Sequence, residues 1–577
     1  MKSIKETVIS LFNTAINDTY HVDIDPVIQI AGRPEFGDFQ ANFALSLAKR
    51  LQLKPVDIAK QIIEQLKQHA IFEKLECSGP GFINITLSNS FLAEHLQRIT
   101  ADTRLGMDVD HSPRTIVIDY GGANVAKEMH VGHLRSAIIG DAFVRILEFV
   151  GHHVIRQNHL GDWGTQFGML IEYLIKTNWQ ADQSHAYSDL NALYKQAKQQ
   201  FDQDPAFADR ARQRVVMLQA GDATSRAIWQ QLVAESKHHF QEIYDKLGVK
   251  LTENDAAGES IYNDMLQPLT QELEKNGDAQ IDEGALVIAL DGFVDPDGKP
   301  VPFLIRKQDG GFLYATTDMA AIKYRINVLH ATQIIYVVDT RQKQHFAMLF
   351  AAAKKAFDLP DNIMLEHTAY GAVLGEDHKP LKTRSGESIK LIDLLNEAEK
   401  RAAEIVSQKH PDLSAAELSD IARSVGIGAL KYADLRSDKI KDYVFSWDKM
   451  LAFEGNTGPY LQNACVRIHA LFRKGQIDRH QIKQKIIINS PFEHVLAIKL
   501  SAFPDIIHTV ANNLQLHTLC DYLYDLASTF HRFYEHCPVL SDNEIAIRDS
   551  RLALCSLTVN TLALGLDLLG INVLEKM

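Results

Sequence analysis

The spacing of apolar positions changes abruptly near residue 130. Thr115 to Asp119 reads Thr-Ile-Val-Ile-Asp, a short β-branched run of the kind buried on both faces of a parallel sheet. From His133 the period lengthens, with Leu134, Ile138, Ala142, Ile146 and Phe149 recurring at spacings of four and three. That predicts a helix with one apolar stripe, closed by Gly151. His153 to Ile155 is a second apolar run, so the unit is strand, helix, strand: half of a dinucleotide-type fold. Helical spacing also marks the N-terminus, where Ile4, Val8, Leu11, Phe12 and Ala15 share a face. Ile83, Ile85 and Leu87 alternate instead, as in a half-buried strand.

Continued along the chain, the pattern predicts a multidomain α/β protein. Residues 1–110 form a small α+β domain that includes Gly32 to Asn42. Residues 111–390 form a Rossmann-type catalytic domain, interrupted between about 178 and 251 by a polar helical insertion rich in Gln, Lys and Asp. The sheet pattern returns at Ala285 to Ala289, Gly311 to Tyr314 and Ile334 to Val338. Everything after about 390 is expected to be helical: a connecting region over 391–455 and an all-α bundle over 456–577. Ser414 followed by Glu417 is a capping-box start within it. Internal repeats and low-complexity tracts are absent from the sequence.

Composition narrows the function classes. The 577 residues, 46% of them hydrophobic, suffice for several cores. No run approaches ~18 consecutive apolar residues, and the N-terminal helix lacks the apolar core and cleavage site of a signal peptide. No membrane partner and a cytoplasmic location are therefore expected. Five cysteines, an odd number without a Cys-x-x-Cys pair, argue against both a zinc site and a disulfide framework. The net charge of −13 weighs against a nucleic-acid partner, although a large acidic protein can still carry a basic face.

The chemistry concentrates at the predicted strand-to-helix turn, which reads Ala123-Asn124-Val125-Ala126-Lys127-Glu128-Met129-His130-Val131-Gly132-His133. A helix start beyond the carboxyl end of a strand offers unpaired N–H groups and a partial positive charge to an anion. His130 and His133, three apart, are placed to donate hydrogen bonds to phosphate oxygens in the transition state. Gly132 leaves room for an adenine ring against the backbone. Asp119 and Asn124, at the end of the first strand, either hold a substrate's α-amino and carboxylate groups or simply form a turn with Gly121 and Gly122. Tyr314 and Asp318 are spaced to share one face of a helix starting near Thr316. On spacing alone Asp318 is an acid offsetting the helix dipole, and Tyr314 could be a core aromatic.

The run from Asn124 to Ser136 resembles the HIGH region of the arginyl-tRNA synthetases, class I aminoacyl-tRNA synthetases of bacterial type. The likeness continues through Asn158-His-Leu-Gly-Asp-Trp-Gly-Thr-Gln-Phe-Gly168, Leu313-Tyr-Ala-Thr-Thr-Asp318, Val338-Asp-Thr-Arg-Gln342 and Phe453-Glu-Gly-Asn-Thr-Gly-Pro-Tyr-Leu-Gln462. Phe36-Gly-Asp-Phe-Gln-Ala-Asn42 and Tyr522-Leu-Tyr-Asp-Leu-Ala527 extend it to both ends, in the family's order.

The resemblance implies L-arginine, ATP and tRNA(Arg) as substrates, a Mg2+ requirement, a monomer, and two steps through arginyl-adenylate, the first needing tRNA. For the arginine site it implies Tyr314 stacked on the guanidinium, Asp318 and Glu259 as its carboxylates, and Gln342 as a further polar contact, with Asp119, Asn124 and His133 holding the rest of the molecule. Carboxylates suit this task because their two oxygens match a planar fork. Class I enzymes also carry a mobile Lys-Met-Ser-Lys-Ser loop, and here the sequence departs: the loop reads His378-Lys-Pro-Leu-Lys-Thr-Arg-Ser-Gly386, with Thr383 in place of the second lysine. Many arginyl enzymes share that departure and carry a lysine just upstream of the HIGH residues, as Lys127 is here. Lys127 is expected to supply the missing charge, with Lys382 and Arg384 reaching phosphates from the loop.

For the tRNA, the resemblance implies an elbow contact by Phe36, Phe39 and Gln40 and an anticodon-binding C-terminal bundle. Arg473, Lys474, Arg479, Lys483 and Lys485 form either a backbone-binding edge or a solvated helix end. Tyr443, Phe445, Trp447, Phe453 and Tyr460 stand at the junction as core aromatics. Two other classes were weighed. A small HxGH nucleotidylyltransferase needs neither terminal region, and a non-catalytic tRNA-binding relative predicts broken motifs where these are intact. No separate region suits hydrolysis of mischarged tRNA, and arginine's guanidinium makes one dispensable.

Overall fold

Thr115–Asp119, Leu134–Val150 and His153–Gln157 fold as strand, helix, strand in the computed structural model, with Gly151 closing the helix at φ 109°. Described are residues 2–177, 190–382, 388–482, 484–542 and 544–576. They form two compact units, one of residues 111–451 and one made from both ends of the chain, 1–110 with 452–577.

In the first unit the strands Met364–Tyr370, Gln333–Asp339, Thr115–Asp119 and His153–Gln157 lie side by side in that order, all parallel. Ile116, Val117 and Ile118 are fully buried, as a continuous β-branched run in a covered sheet must be. The helix Leu134–Val150 is buried nearly all round, including Arg135, Ser136 and Asp141. It packs on the sheet and also against the helix Ala415–Leu435, so a single apolar stripe is too narrow a description.

Two expected strands fall elsewhere. Ala285–Ile288 belongs to a separate antiparallel sheet with Gln280–Asp282 and Phe303–Arg306. Its turn residues Glu283 and Gly284 both have positive φ, 45° and 81°, the geometry that folds a strand back on its neighbour and precludes a parallel crossover. Gly311 to Tyr314 is not a strand: Phe312 makes one bridge to Arg306, and a helix begins at Tyr314 itself. In the insertion, Leu190–Gln203, Pro205–Ala220 and Ala223–Leu247 are helices.

Leu391–Lys409 and Ala415–Leu435 pair tightly, the second opened by the expected Ser414–Glu417 capping box. Gly426 sits so close to the first helix that a Cβ there would lie 2.6 Å from the Ala398 carbonyl oxygen. The C-terminal part is helical with one exception: Tyr443–Val444 is a short strand parallel to Val373–Leu374.

The second unit carries a four-stranded antiparallel sheet in the order Ile28–Ile30, Phe39–Ala41, Phe82–Leu87, Phe72–Ser78. Ile4–Tyr20 covers it, capped by Ser3 and Glu6. The bundle of Gly458–Gly475, Pro491–Ser501, Phe503–Asn513, Leu516–His536 and Ile545–Leu568 packs through Pro491–Ser501 against Asn89–Thr100. His494 bonds both Asp38 (2.9 Å) and Asn89 (2.7 Å) across that contact. Ile545–Leu568 has a stretch of mean hydropathy 1.3, but 78% of that stretch is buried inside the protein, as the core helix of a bundle is.

Candidate active site

The HxGH turn is built by pairing two segments beyond the strand ends. Val125 N–H donates to the Gly161 carbonyl and Gly161 N–H to that of Ala123, at 3.1 and 3.2 Å. Asn124 is exposed at the mouth, and Ala126 reverses the chain at φ 62° with its N–H held by the Ser236 hydroxyl, 2.9 Å. The two histidines follow with rings 4.1 Å apart. Gly132 N–H donates to His130 Nδ1 (3.0 Å) and His130 N–H to His133 Nδ1 (3.1 Å). Accepting at Nδ1, the His130 ring carries its proton on Nε2, while His133 Nδ1 faces both the His130 N–H and, at 3.3 Å, the His130 carbonyl. Burial lowers both pKa values, that of His133 to about 4, so each imidazole is a neutral donor near pH 7. Gly132 has a steric reason of its own: a Cβ there would stand 2.7 Å from the His130 ring.

Lys127 is half-buried beside this turn, its Nζ 4.9 Å from the centre of the Tyr194 ring, and its charge helps lower the pKa of His130. The second nucleotide loop leaves the strand Val373–Leu374. Lys382 is exposed on it and bridges to Ser388. Arg384 and Thr383 lie outside the described residues. The returning segment pairs with the HxGH turn: Val131 N–H donates to the Ile389 carbonyl, Leu391 N–H to that of Met129, and Lys390 forms an ion pair with Glu128 at 2.8 Å.

Next to it is an acidic pocket. Tyr314 opens its helix 62% exposed, and Asp318, one turn on, is half-buried. The helix starts two residues before the expected Thr316, but the shared face holds. Glu259 follows Gly258, where a Cβ would collide with the Asp162 carboxylate. Asp162 is buried and bound by the Ser260 N–H (2.9 Å) and hydroxyl (2.6 Å). Burial, with Asp162 and Asp318 adding repulsion, raises Glu259 to about 7. Gln342 is exposed at the start of the helix Lys343–Phe357.

Sequence reasoning passed over His345, whose Nε2 bonds Asp318 at 2.7 Å and whose ring lies 5.0 Å from that of Tyr314. The available signal was its position one turn after Gln342. Asp162 was inside a quoted motif without a role. Asp119 is buried, and one of its oxygens accepts from Arg325 Nη2 at 2.7 Å.

Phe39 requires a correction. It is 7% exposed in the strand Phe39–Ala41, because alternation turns Phe39 and Ala41 into the core, and it has no face free for stacking on a base. Phe36 is half-buried, and Gln40 binds Asn84 at 2.9 Å. In the bundle, Arg473 donates to the Glu575 carbonyl (2.7 Å) and Arg479 to Asn560 (3.3 Å); Lys483 lies outside the described residues. Among the junction aromatics, Phe445 is buried against Trp447, with ring centres 4.8 Å apart.

Comparison with known proteins matches the catalytic domain of tRNA synthetases class I (R) over residues 95–447, the DALR anticodon binding domain over 461–577, and the arginyl tRNA synthetase N terminal domain over 2–87. The chain is 49% identical over 555 residues to the arginine–tRNA ligase of Laribacter hongkongensis and 49% over 557 to that of Cellvibrio japonicus, covering 96% of each partner in both cases. Among solved structures, arginyl-tRNA synthetase from Plasmodium falciparum superposes with a TM-score of 0.86 at 31% identity, covering 100% of both chains. A pair of neutral imidazoles at a helix start, an acidic pocket beside it and all three family regions in order lead to one conclusion: the chain belongs to the arginyl-tRNA synthetases of class I.

Proposed function

We propose that the mouth of the catalytic sheet holds ATP over the HxGH turn and arginine in the pocket of Glu259 and Asp318. The enzyme joins L-arginine to tRNA(Arg) in an ATP-dependent reaction. A carboxylate oxygen of arginine attacks the α-phosphorus of ATP, the bond to pyrophosphate breaks, and arginyl-adenylate forms. A terminal ribose hydroxyl of the tRNA then attacks the arginyl carbonyl and AMP leaves.

The observation that carries the residue assignment is the concentration of carboxylates in the pocket. Among the described residues no Lys or Arg pairs with Glu259 or Asp318, whose one cationic-capable partner is His345, and burial, with repulsion from Asp162 and Asp318, holds Glu259 partly protonated. A guanidinium relieves that repulsion and meets two carboxylates with its fork of donors. Tyr314 supplies the stacking wall and Gln342 a polar contact, while Asn124, His133 and Asp119 hold the α-amino and carboxylate groups. The imidazoles of His130 and His133 stabilise charge on the α-phosphate, and Lys127, Lys382 and Arg384 neutralise the departing pyrophosphate. Mg2+ arrives on the ATP phosphates, as a hard cation that keeps several waters does.

Residues 1–110, with Phe36 and Gln40, meet the tRNA elbow; 111–390 carry catalysis, 391–455 the stem contact, and 456–577 bind the anticodon. The enzyme works as a cytoplasmic monomer, and adenylate formation waits for tRNA. The test is ATP–pyrophosphate exchange with arginine or lysine, with and without tRNA(Arg). Exchange with arginine alone, and only with tRNA present, is the expected result. Equal exchange with lysine, lost in neither Asp318→Asn nor Glu259→Gln, overturns the pocket assignment.

A further inference from the structure

A buried cluster gathers around the first turn of the helix that follows the HxGH residues. Arg135, two residues past His133, is 1% exposed, and its guanidinium is enclosed by segments distant in sequence. Nε donates to both oxygens of Asp434 at 3.2 and 3.1 Å, and Nη1 to the carbonyls of Gly371 (2.7 Å) and Lys441 (3.1 Å). Its central carbon is 5.8 Å from the Tyr370 ring centre and 5.3 Å from that of Tyr443. Tyr370 and Gly371 end the strand Met364–Tyr370 immediately before Val373–Leu374, which enters the nucleotide loop. Lys441 and Tyr443 belong to the segment paired with that entering strand.

A buried ion pair is a weak device for stability, since well-packed hydrocarbon of similar volume often does as well. This one also leaves Nη2 buried without a hydrogen-bond partner among the described residues, an added penalty. What a guanidinium supplies and hydrocarbon does not is direction, because its planar fork fixes several acceptors relative to one another. Here those acceptors are the root of the loop, the helix Ala415–Leu435 and the 441 segment, all held to the first turns of the HxGH helix.

We propose that Arg135 is a positioning residue for the ATP chemistry. It sets the separation between the HxGH turn and the strand Val373–Leu374 that leads to Lys382, and so the spacing of the imidazoles and that lysine about the phosphates. The loop's other end is set independently by the pairing of Met129 and Val131 with Ile389 and Leu391. The inference rests on the assignment of both loops to the nucleotide.

The test is ATP–pyrophosphate exchange in the full-length protein with tRNA(Arg) present, varying ATP and arginine separately, in the wild type, Arg135→Lys and the double variant Arg135→Met/Asp434→Leu. The double variant removes both charges while keeping apolar volume, a replacement that buried pairs often tolerate; because the Gly371 and Lys441 carbonyls lose their donor, its thermal midpoint is read alongside, and Arg135→Lys, which keeps the charge without the fork, carries the test if the double variant does not fold. In both variants kcat falls about a hundredfold, the scale of an ångström's misplacement. KM for ATP rises as well, while KM for arginine stays within about twofold. Kinetics equal to the wild type in the double variant, or KM values for ATP and arginine rising together, overturn the proposal. Absence of exchange in the wild type overturns the nucleotide assignment instead.

Discussion

Glu259 carries the site's clearest pH signature at the residue scale. Its carboxyl is raised to about 7 by burial and by Asp162 and Asp318, and a guanidinium binds the ionised form. Binding below pH 7 must therefore release a proton, and affinity is lost as pH falls through that value. KM for arginine should rise about tenfold between pH 8 and pH 6, and Glu259→Gln should have a raised, nearly flat KM over the same range; steady-state kinetics across pH checks both. His133 cannot produce this effect, because burial lowers its pKa to about 4 and keeps it neutral throughout. In the proposed mechanism Lys127 acts on the leaving group, so Lys127→Ala should lower kcat by about 10²–10³-fold with little change in arginine KM. An unaltered kcat would remove Lys127 from the mechanism.

Elements decide how accurately these residues meet. The helix pair Leu391–Lys409 and Ala415–Leu435 depends on Gly426, whose missing Cβ lets the Ala398 backbone approach. Gly426→Ala adds one methyl to a contact without room for it and should cost about 1–3 kcal/mol, read as a lower thermal midpoint. The elements themselves were largely legible: strand and helix periods located the strand-helix-strand unit, and the capping box located the start of Ala415–Leu435. The site was legible where its residues share one turn, as His130 with His133 or Tyr314 with Asp318. It was not legible where chemistry arises from distant partners: His345 gains meaning only against Asp318, and Arg135 only against Asp434, 299 residues away. Ala285–Ile288 was placed in the wrong sheet because a buried apolar run is the same in either, and only the Glu283–Gly284 turn distinguishes them. Phe39 misled because its Gly neighbours suggest a loop, whereas two-residue alternation buries it.

On the scale of the whole molecule, the two chain ends form one unit. The Asn89–Thr100 to Pro491–Ser501 contact and the bridging bonds of His494 join them. Scanning calorimetry should accordingly show residues 1–110 unfolding together with the bundle. Deleting 1–110 should lower the bundle's own transition, because the face of Pro491–Ser501 loses its cover. A bundle transition unchanged by the deletion would mean that the ends only touch.

That closure also imposes an order in time. A ribosome adding about 5–20 residues per second needs roughly 17–70 s to make the 341 residues from 111 to 451 that separate the two halves of the terminal unit. Throughout that interval the nascent N-terminal domain presents an uncovered docking face, and its partner does not yet exist. The helix Pro491–Ser501 completes a unit begun by the first helices, so premature termination before it leaves the docking face of the earliest-made part uncovered.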